Sequence, residues 1–180
     1  MRTEPQRKDR TMKTTQEMES LLERMPVGYL ALTTENGPYV VPVNYLFSEG
    51  SIYFHSGMKG RKMEALQVDS HVCFLVDDIV PQVLFESGCG ISQIYESVIC
   101  FGRAEFVDGL VEKSRLLEKM IQKFVPADHR FVPMQDQNID KTAVIRIRIE
   151  WMTGKAHRIG PLHTILPNRF LNTEKSRWRV

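Results

Sequence analysis

The spacing of apolar and polar residues predicts a chain made mostly of short strands. Residues 142–150 alternate between Ala or Ile and a mostly charged set, which is typical of an antiparallel strand with one buried face. Five further segments are rich in β-branched and aromatic residues: 29–34, 39–47, 52–55, 71–76 and 93–107. The pattern therefore predicts six strands.

Helical spacing appears in three places. Thr14 to Glu17 forms a capping box, apolar residues follow at helical spacing, and Pro26 ends the helix. A short helix is expected from about Met63 to Val68. A longer helix after Gly109 carries an apolar face, which we interpret as core or subunit packing: Leu117, Met120, Ile121 and Phe124.

Six strands in a meander with few helices favour a mainly β fold, a small antiparallel barrel with flanking helices. The strands do not alternate with long helices, which argues against a doubly wound parallel sheet. At 180 residues the chain fits one domain. We expect that domain to span 14–160, between a disordered basic arm at 1–13 and a basic tail at 161–180.

Composition excludes several classes of function. No apolar run reaches the ~18 residues of a membrane span, and the charged N-terminus lacks the apolar stretch of a secretory signal. The cysteines Cys73, Cys89 and Cys100 show no metal-ligand spacing, so we expect free thiols, a cytoplasmic protein and no metal site. The basic ends accompany no nucleic-acid recognition motif, so we expect no nucleic-acid partner and no membrane partner.

The stretch from Ile52 to Lys62 is the strongest chemical signal in the chain. An apolar strand runs into a glycine-bearing loop, Arg61 and Lys62 follow, and a helix begins there. Loop N–H groups, a helix N-terminus and two full positive charges suit a phosphate ester. His55 and Ser56 are placed to touch whatever carries that phosphate. The alternative is an ordinary polar turn with solvated cations, since no standard nucleotide motif is present.

Four blocks in order carry a family resemblance: residues 39–45, 53–62, 95–104 and 149–155. Together they resemble the pyridoxamine 5′-phosphate oxidase-like flavoproteins and, within them, the nitroimidazole-resistance (Nim-type) branch. The resemblance implies a split β-barrel and a homodimer with FMN between the subunits. The chain lacks the longer arginine-rich cofactor motif of the pyridoxamine phosphate oxidases proper, so the resemblance implies FMN binding without implying vitamin B6 oxidation.

The resemblance also assigns cofactor-binding residues. Arg61 and Lys62, with Gly60 before them, match the pair that holds the FMN phosphate, and His55 matches the histidine beside the flavin ring. The other matched positions border the cofactor on three strands: Val43, Asn44, Tyr45, Ser97, Val98 and Trp151.

The function that this resemblance implies is the reduction of a small electron acceptor, such as a nitro-compound or a quinone. His55 is the candidate catalytic residue because an imidazole can donate a proton near neutral pH. A nicotinamide donor would bind transiently, since no dinucleotide motif is visible. Three alternatives stay open: a non-catalytic flavin-binding or storage protein, a haem-binding split barrel with His55 as the axial ligand, and a barrel without a cofactor.

Overall fold

Seven antiparallel strands and four helices make up the part of the chain described by the computed structural model, residues 7–83 and 92–158. The strands are β1 (Val27–Thr34), β2 (Gly37–Asn44), β3 (Leu46–Ser48), β4 (Ser51–Gly57), β5 (His71–Val83), β6 (Ser92–Phe106) and β7 (Thr142–His157). The helices are α1 (Thr15–Arg24), α2 (Arg61–Val68), α3 (Leu110–Phe124) and α4 (Asp136–Asp140). Among the described helices, none has the length and apolar character needed to cross a bilayer.

The strands form one sheet in the order β2-β1-β5-β6-β7-β4-β3. Its two edge strands, β2 and β3, are consecutive in the chain and are separated only by Tyr45. This short link brings the edges together, and β2 approaches β4 with no ladder between them in the described residues. The predicted mainly β split barrel is therefore confirmed. The strand count is seven instead of six because the predicted strand 39–47 breaks at Tyr45.

Tyr45 is fully buried in the main core, which fills the barrel. Its hydroxyl donates a 2.7 Å hydrogen bond to the carbonyl of Leu22 in α1, and its ring meets the Phe74 ring edge-on at 5.1 Å. Leu21 and Leu22 are also fully buried, so α1 closes the barrel from one side. Burial raises the pKa of Tyr45, because the phenolate would lose its hydration.

A second, smaller hydrophobic cluster lies outside the barrel, beneath α3. It combines α3 with residues of β4, β7 and α4: Tyr53, Leu116, Leu117, Met120, Ile139 and Val144. The far end of α3 is tied to α1 by Lys123, whose ammonium donates a 2.7 Å hydrogen bond to the carbonyl of Met25. The same ammonium lies 4.1 Å from the centroid of the Tyr45 ring, a cation–π distance. The apolar face predicted for this helix therefore packs in part as a core.

Residues 7–13 differ from the predicted disordered arm. Lys8–Arg10 form a 3₁₀ turn, and Met12 is buried in the main core with its N–H donating to the carbonyl of Gly154 at 3.0 Å. The packing is possible because Gly154 has no side chain: a Cβ there would lie 2.6 Å from the Met12 sulfur. Residues 1–6, the tail 161–180 and Cys89 lie outside the described residues.

Strands β5 and β7 run further than the apolar pattern predicts. Polar residues in the β5 extension and just past the β7 extension pair with other elements, and the spacing of apolar residues gives no sign of such pairs. Arg24 at the end of α1 pairs with Asp78 on β5 and with Glu96 on β6. Arg158, just past β7, pairs with the same Glu96 and with Glu17 on α1. Exposed pairs contribute little singly, but this network fixes α1 against the ends of three strands.

A bulge in β7 opposite Gly102 gives a testable constraint on the barrel. The register shifts between Phe101 and Gly102, and a Cβ on Gly102 would lie 2.0 Å from the carbonyl oxygen of Arg148. We expect Gly102→Ala to lower the free energy of unfolding by about 1–3 kcal/mol, because backbone must shift to admit the methyl group. Urea denaturation measures the change.

Gly57→Ala is the matched control, because a Cβ there would have no neighbour within 4 Å. Equal unfolding midpoints for the two alanine variants would contradict the close approach at Gly102.

Candidate functional site

The N-terminus of α2 is open to a ligand. Gly60 precedes the helix with φ of 111°, a left-handed conformation that favours glycine, and no side chain caps the helix. The N–H groups of Met63 and Glu64 donate to the carbonyl of Gly60 at 2.9 and 3.1 Å. The first-turn N–H groups of Arg61 and Lys62 have no acceptor within the helix. These donors and the helix dipole favour an anion at this point.

Arg61 and Lys62 supply two positive charges beside that helix end. Neither side chain forms an ion pair with a carboxylate in the described residues. The Arg61 guanidinium instead lies 5.3 Å from the centroid of the Tyr39 ring, and the Lys62 ammonium lies 5.3 Å from that of Phe54. Burial lowers the pKa of Lys62, which a neighbouring anion would offset. The donor set fits a phosphate ester, as the sequence predicts.

His55 lies on β4 just before the loop that leads to α2. Its ring is exposed on the surface of the chain and has no hydrogen-bond partner in the described residues. Partial burial of the ring lowers the pKa of His55, and the charge of Lys62 lowers it further. The imidazole is therefore mainly neutral at pH 7, with one nitrogen able to donate a hydrogen bond and the other able to accept one. Only below this lowered pKa is the ring mainly protonated and able to give up a full proton.

His55 and Asn44 share a cavity of about 420 Å³ between the barrel and α3. One side of it is polar and includes Thr142, whose hydroxyl donates to the carbonyl of Asn138 at 2.8 Å. The other side is apolar and comes from α3 and the loop after it: Leu117, Met120, Ile121, Phe124, Val125 and Met134. The sequence predicts only a packing role for this helix face. The amphipathic spacing of these residues indicates that the helix face is covered. It does not distinguish a residue packed in the core from a residue that lines a cavity.

The predicted cofactor residues at the end of β2 and in its link to β3 point in opposite directions. Val43 and Tyr45 are buried in the core, whereas Asn44 between them is exposed to the cavity. Successive side chains along an extended chain face opposite sides, so this pattern follows from strand geometry. Of the three, only Asn44 presents its side chain to the cavity. Ser56, next to His55, is half-buried.

The remaining predicted residues lie elsewhere in the same chain. His55 is opposite Val144 in the ladder, and Trp151 lies further along β7, roughly 20 Å away at the rise of a β-strand. Trp151 stacks on Phe101 with ring centroids 4.0 Å apart. Ser97 and the fully buried Val98 pair with Lys155 and Gly154, further still along β7. The predicted site residues therefore form two groups within one chain.

The described residues form no cluster of His, Cys, Asp and Glu suited to a metal ion. Burial raises the pKa of Cys100 to about 12, so its thiol stays protonated at neutral pH. The site is thus defined by cations, an imidazole, an amide and apolar side chains.

A barrel of antiparallel strands, with the open N-terminus of α2 as a candidate anion site, defines the class of this protein, a split-barrel protein. Residues 14–156 match the family model described as pyridoxamine 5′-phosphate oxidase, and the chain belongs to this family. The family prediction is confirmed. None of the curated proteins compared with the chain is significantly similar to it.

Solved structures share the fold. A proposed 5-nitroimidazole antibiotic resistance protein from Bacteroides thetaiotaomicron VPI-5482 is 28% identical, with a TM-score of 0.70 over 81% of this chain and 85% of that one. The flavocytochrome Anf3 from Azotobacter vinelandii is 22% identical, with a TM-score of 0.78 over 92% and 76%. An FAD-binding protein from Mesorhizobium loti is 24% identical, with a TM-score of 0.61 over 83% and 98%.

Proposed function

We propose that this protein binds FMN and uses it to reduce a small electron acceptor. The observation that carries the proposal is the uncapped N-terminus of α2 beside two cations, Arg61 and Lys62, that have no carboxylate partner in the described residues. Charge-assisted bonds to a phosphate are the strongest that such groups make. Membership of the pyridoxamine 5′-phosphate oxidase family supports a phosphorylated flavin, and the relatives named as flavin binders agree with it.

Different residues of the chain have different roles in the proposed FMN site. Arg61, Lys62 and the first N–H groups of α2 hold the phosphate, with Ser56 and Gly60 shaping the approach to it. Asn44 and His55 face the ligand and offer hydrogen bonds. FMN, when bound, supplies the two-electron chemistry that no protein side chain can perform.

The proposed reaction balances with a nicotinamide donor and a nitroarene acceptor. The donor gives a hydride, which carries two electrons and one proton, and the solution supplies one further proton. The nitro group becomes a nitroso group and releases one water molecule. His55 donates a hydrogen bond or, below its pKa, a proton to an acceptor oxygen.

A homodimer completes the proposed site. Within one chain, Trp151 lies far along β7 from the partner of His55, and Ser97 and Val98 on β6 pair with residues still further along β7, so a single chain cannot bring them to the same ligand as His55. A second copy could bring its own Trp151 and Ser97 to the first copy's phosphate site.

We expect sedimentation equilibrium of the FMN-loaded protein to give twice the chain mass of 20.8 kDa. A monomer that holds one FMN per chain would contradict the shared site.

Two alternatives make different cofactor predictions. The likeness to a flavocytochrome keeps haem as a candidate, with the exposed His55 as its ligand, and the FAD-binding relative makes FAD a competitor of FMN. The absorbance spectrum of the purified protein separates flavin from haem by the Soret band. Mass spectrometry of the released cofactor separates FMN from FAD.

The phosphate site predicts a strong preference for FMN over riboflavin. We expect the double substitution Arg61→Ala with Lys62→Ala to weaken FMN binding by about 100-fold or more, since each charged hydrogen bond contributes about 1.5–3 kcal/mol. Riboflavin binding should hardly change, because it lacks the phosphate. Fluorescence titration measures both affinities.

Lys59→Ala, in the loop before α2, is the control for general charge and should leave FMN affinity within about twofold. If wild-type protein bound FMN and riboflavin equally, the assignment of Arg61 and Lys62 would be wrong.

A substitution of His55 distinguishes an enzyme from a flavin-storage protein. We expect His55→Ala to retain FMN but to slow reoxidation of the reduced protein by a nitroarene about 100-fold. The wild-type rate should fall as pH rises through the lowered pKa of His55, because the protonated ring is the better donor, and the variant should lack this step. Stopped-flow absorbance across pH 5 to 9 measures it.

His71→Ala is the control, since His71 is an exposed histidine that pairs with Asp69 away from the cavity. Identical rates and pH profiles in wild type and His55→Ala would remove His55 from the reaction. Slow reoxidation in every protein would favour a flavin store.

A further inference from the structure

The edge of β7 that faces β4 is open over part of its length. The ladder between these two strands ends at Arg148, opposite Ser51, whereas the ladder between β6 and β7 continues to His157. Further along the open edge, Thr11 and Lys155 form an isolated bridge. No strand in the described part of the chain pairs with residues 149–153 on this side. An open edge of this kind is a template for a further strand.

A groove of about 330 Å³ lies along this edge, between α1 and the turn from β3 to β4. Its inner side is formed by apolar residues that pack against the main core: Met18, Phe47, Ile149 and Met152. Its lining also includes the carboxylates of Glu19 and Glu150, and no described lining residue is a lysine or an arginine. Glu150 pairs with Arg103, but both side chains are exposed and such a pair contributes little. The groove therefore suits an extended segment with apolar side chains on one face and cations on the other.

The bulge in β7 sets the pattern that a partner strand must have. Met152 and Ile149 both pack against the main core, although two residues separate them, so a partner strand needs only one residue between its own two inward positions. On the paired edge, the residues of β6 across this stretch are Cys100, Phe101 and Gly102. The first and the last of these are buried, and the middle one is half-buried. A strand on the open edge needs the same alternation of inward and outward positions.

Residues 176–180 of this chain have that alternation. The apolar residues Trp178 and Val180 alternate with Arg177 and Arg179. The whole tail, residues 161–180, carries four Lys or Arg and one Glu, so its net charge of +3 complements the two carboxylates of the groove. Pro161 and Pro167 interrupt the earlier part of the tail, which makes residues 176–180 the better candidate for a paired strand.

The tail starts close enough to reach the groove. Arg158, just past β7, is held next to α1 by its ion pair with Glu17. From Arg158 to Ser176 the chain can extend about 60 Å, whereas the way back along β7 to Met152 is about 20 Å. A flexible tether of this kind gives an effective concentration in the millimolar range, so weak contacts are enough for docking.

We propose that the tail returns to its own barrel and adds residues 176–180 to the open edge of β7 as an antiparallel strand. Trp178 and Val180 lie opposite Met152 and Ile149 and fill the inner side of the groove. Arg179 faces outward at the bulge, next to the Glu150 carboxylate. The family match ends at residue 156, so this strand is a feature of the present chain and does not depend on the proposed flavin chemistry.

Hydrogen exchange of the full chain, measured by mass spectrometry, tests the tail side of the contact. We expect the amides of residues 176–180 to exchange at least about tenfold more slowly than in an unstructured chain, because the ladder protects them. Trp178→Ala should bring exchange to within about twofold of the unstructured rate. Phe170→Ala is the matched control, since it removes another aromatic ring from the same tail, and it should leave the protection unchanged.

Charge reversal tests the groove side. Glu19→Lys combined with Glu150→Lys should lower the protection of residues 176–180 about threefold or more, because two attractions become repulsions. Glu23→Lys combined with Glu35→Lys makes the same change in charge at exposed positions outside the groove and should have no effect. Exchange in the paired part of β5 and β6 serves as the internal reference, and it should be the same in every variant if the barrel stays folded.

A mixing experiment distinguishes the chain's own tail from that of a second copy. The Trp178→Ala chain has an intact groove, and the Glu19→Lys, Glu150→Lys chain has an intact tail. Each keeps its exchange rate in an equimolar mixture if tails dock on their own barrels. Recovery of protection in the intact tail would assign the groove to a second copy and overturn the proposal. An unprotected wild-type tail, or equal protection in Trp178→Ala and Phe170→Ala, would also overturn it.

Discussion

The closure of the barrel at Tyr45 is the constraint on which the rest of the structure depends. A single residue separates the two edge strands of the sheet, so the sheet must curl until its edges meet. Tyr45 holds that junction with three different contacts: a hydrogen bond to Leu22, an edge-on contact with Phe74, and the Lys123 ammonium over its ring. These contacts join α1, the barrel and α3, elements that are distant in sequence.

The same junction also positions the residues of the candidate site. Because Val43 and Tyr45 must face the core, Asn44 between them must face outward, toward His55 on β4. The loop after His55 ends at Gly60, whose left-handed backbone starts α2 and leaves the N–H groups of Arg61 and Lys62 without an acceptor in the helix. The core packing, the cavity and the candidate anion site therefore all follow from the path that the chain takes through this junction.

The local pattern of apolar and polar residues predicted most of the strands, because each strand is formed by consecutive residues. It missed the break at Tyr45, since residues 39–47 are all compatible with a strand. It ended β5 and β7 early, because their outer parts lack a regular apolar alternation, and the ion pairs of Asp78 on β5 and of Arg158 just past β7 are with partners far along the chain. The cavity was beyond reach for the same reason: Lys123 and Met25, whose contact positions its wall, are 98 residues apart. The positions of Ser97 and Val98 on β6 and of Trp151 on β7 also depend on the long-range strand register.

Arg61 and Lys62 have a consequence for the life of the protein in the cell. Both cations lie at the positive end of a helix, and neither side chain forms an ion pair with a carboxylate in the described residues. With the proposed FMN bound, the phosphate would neutralise charge only in the folded chain, and a ligand at one hundred times its dissociation constant adds about 2.7 kcal/mol of stability. Part of the resistance of the chain to proteolysis would then come from the ligand. The abundance of the protein would follow the cellular supply of FMN as well as the expression of its gene.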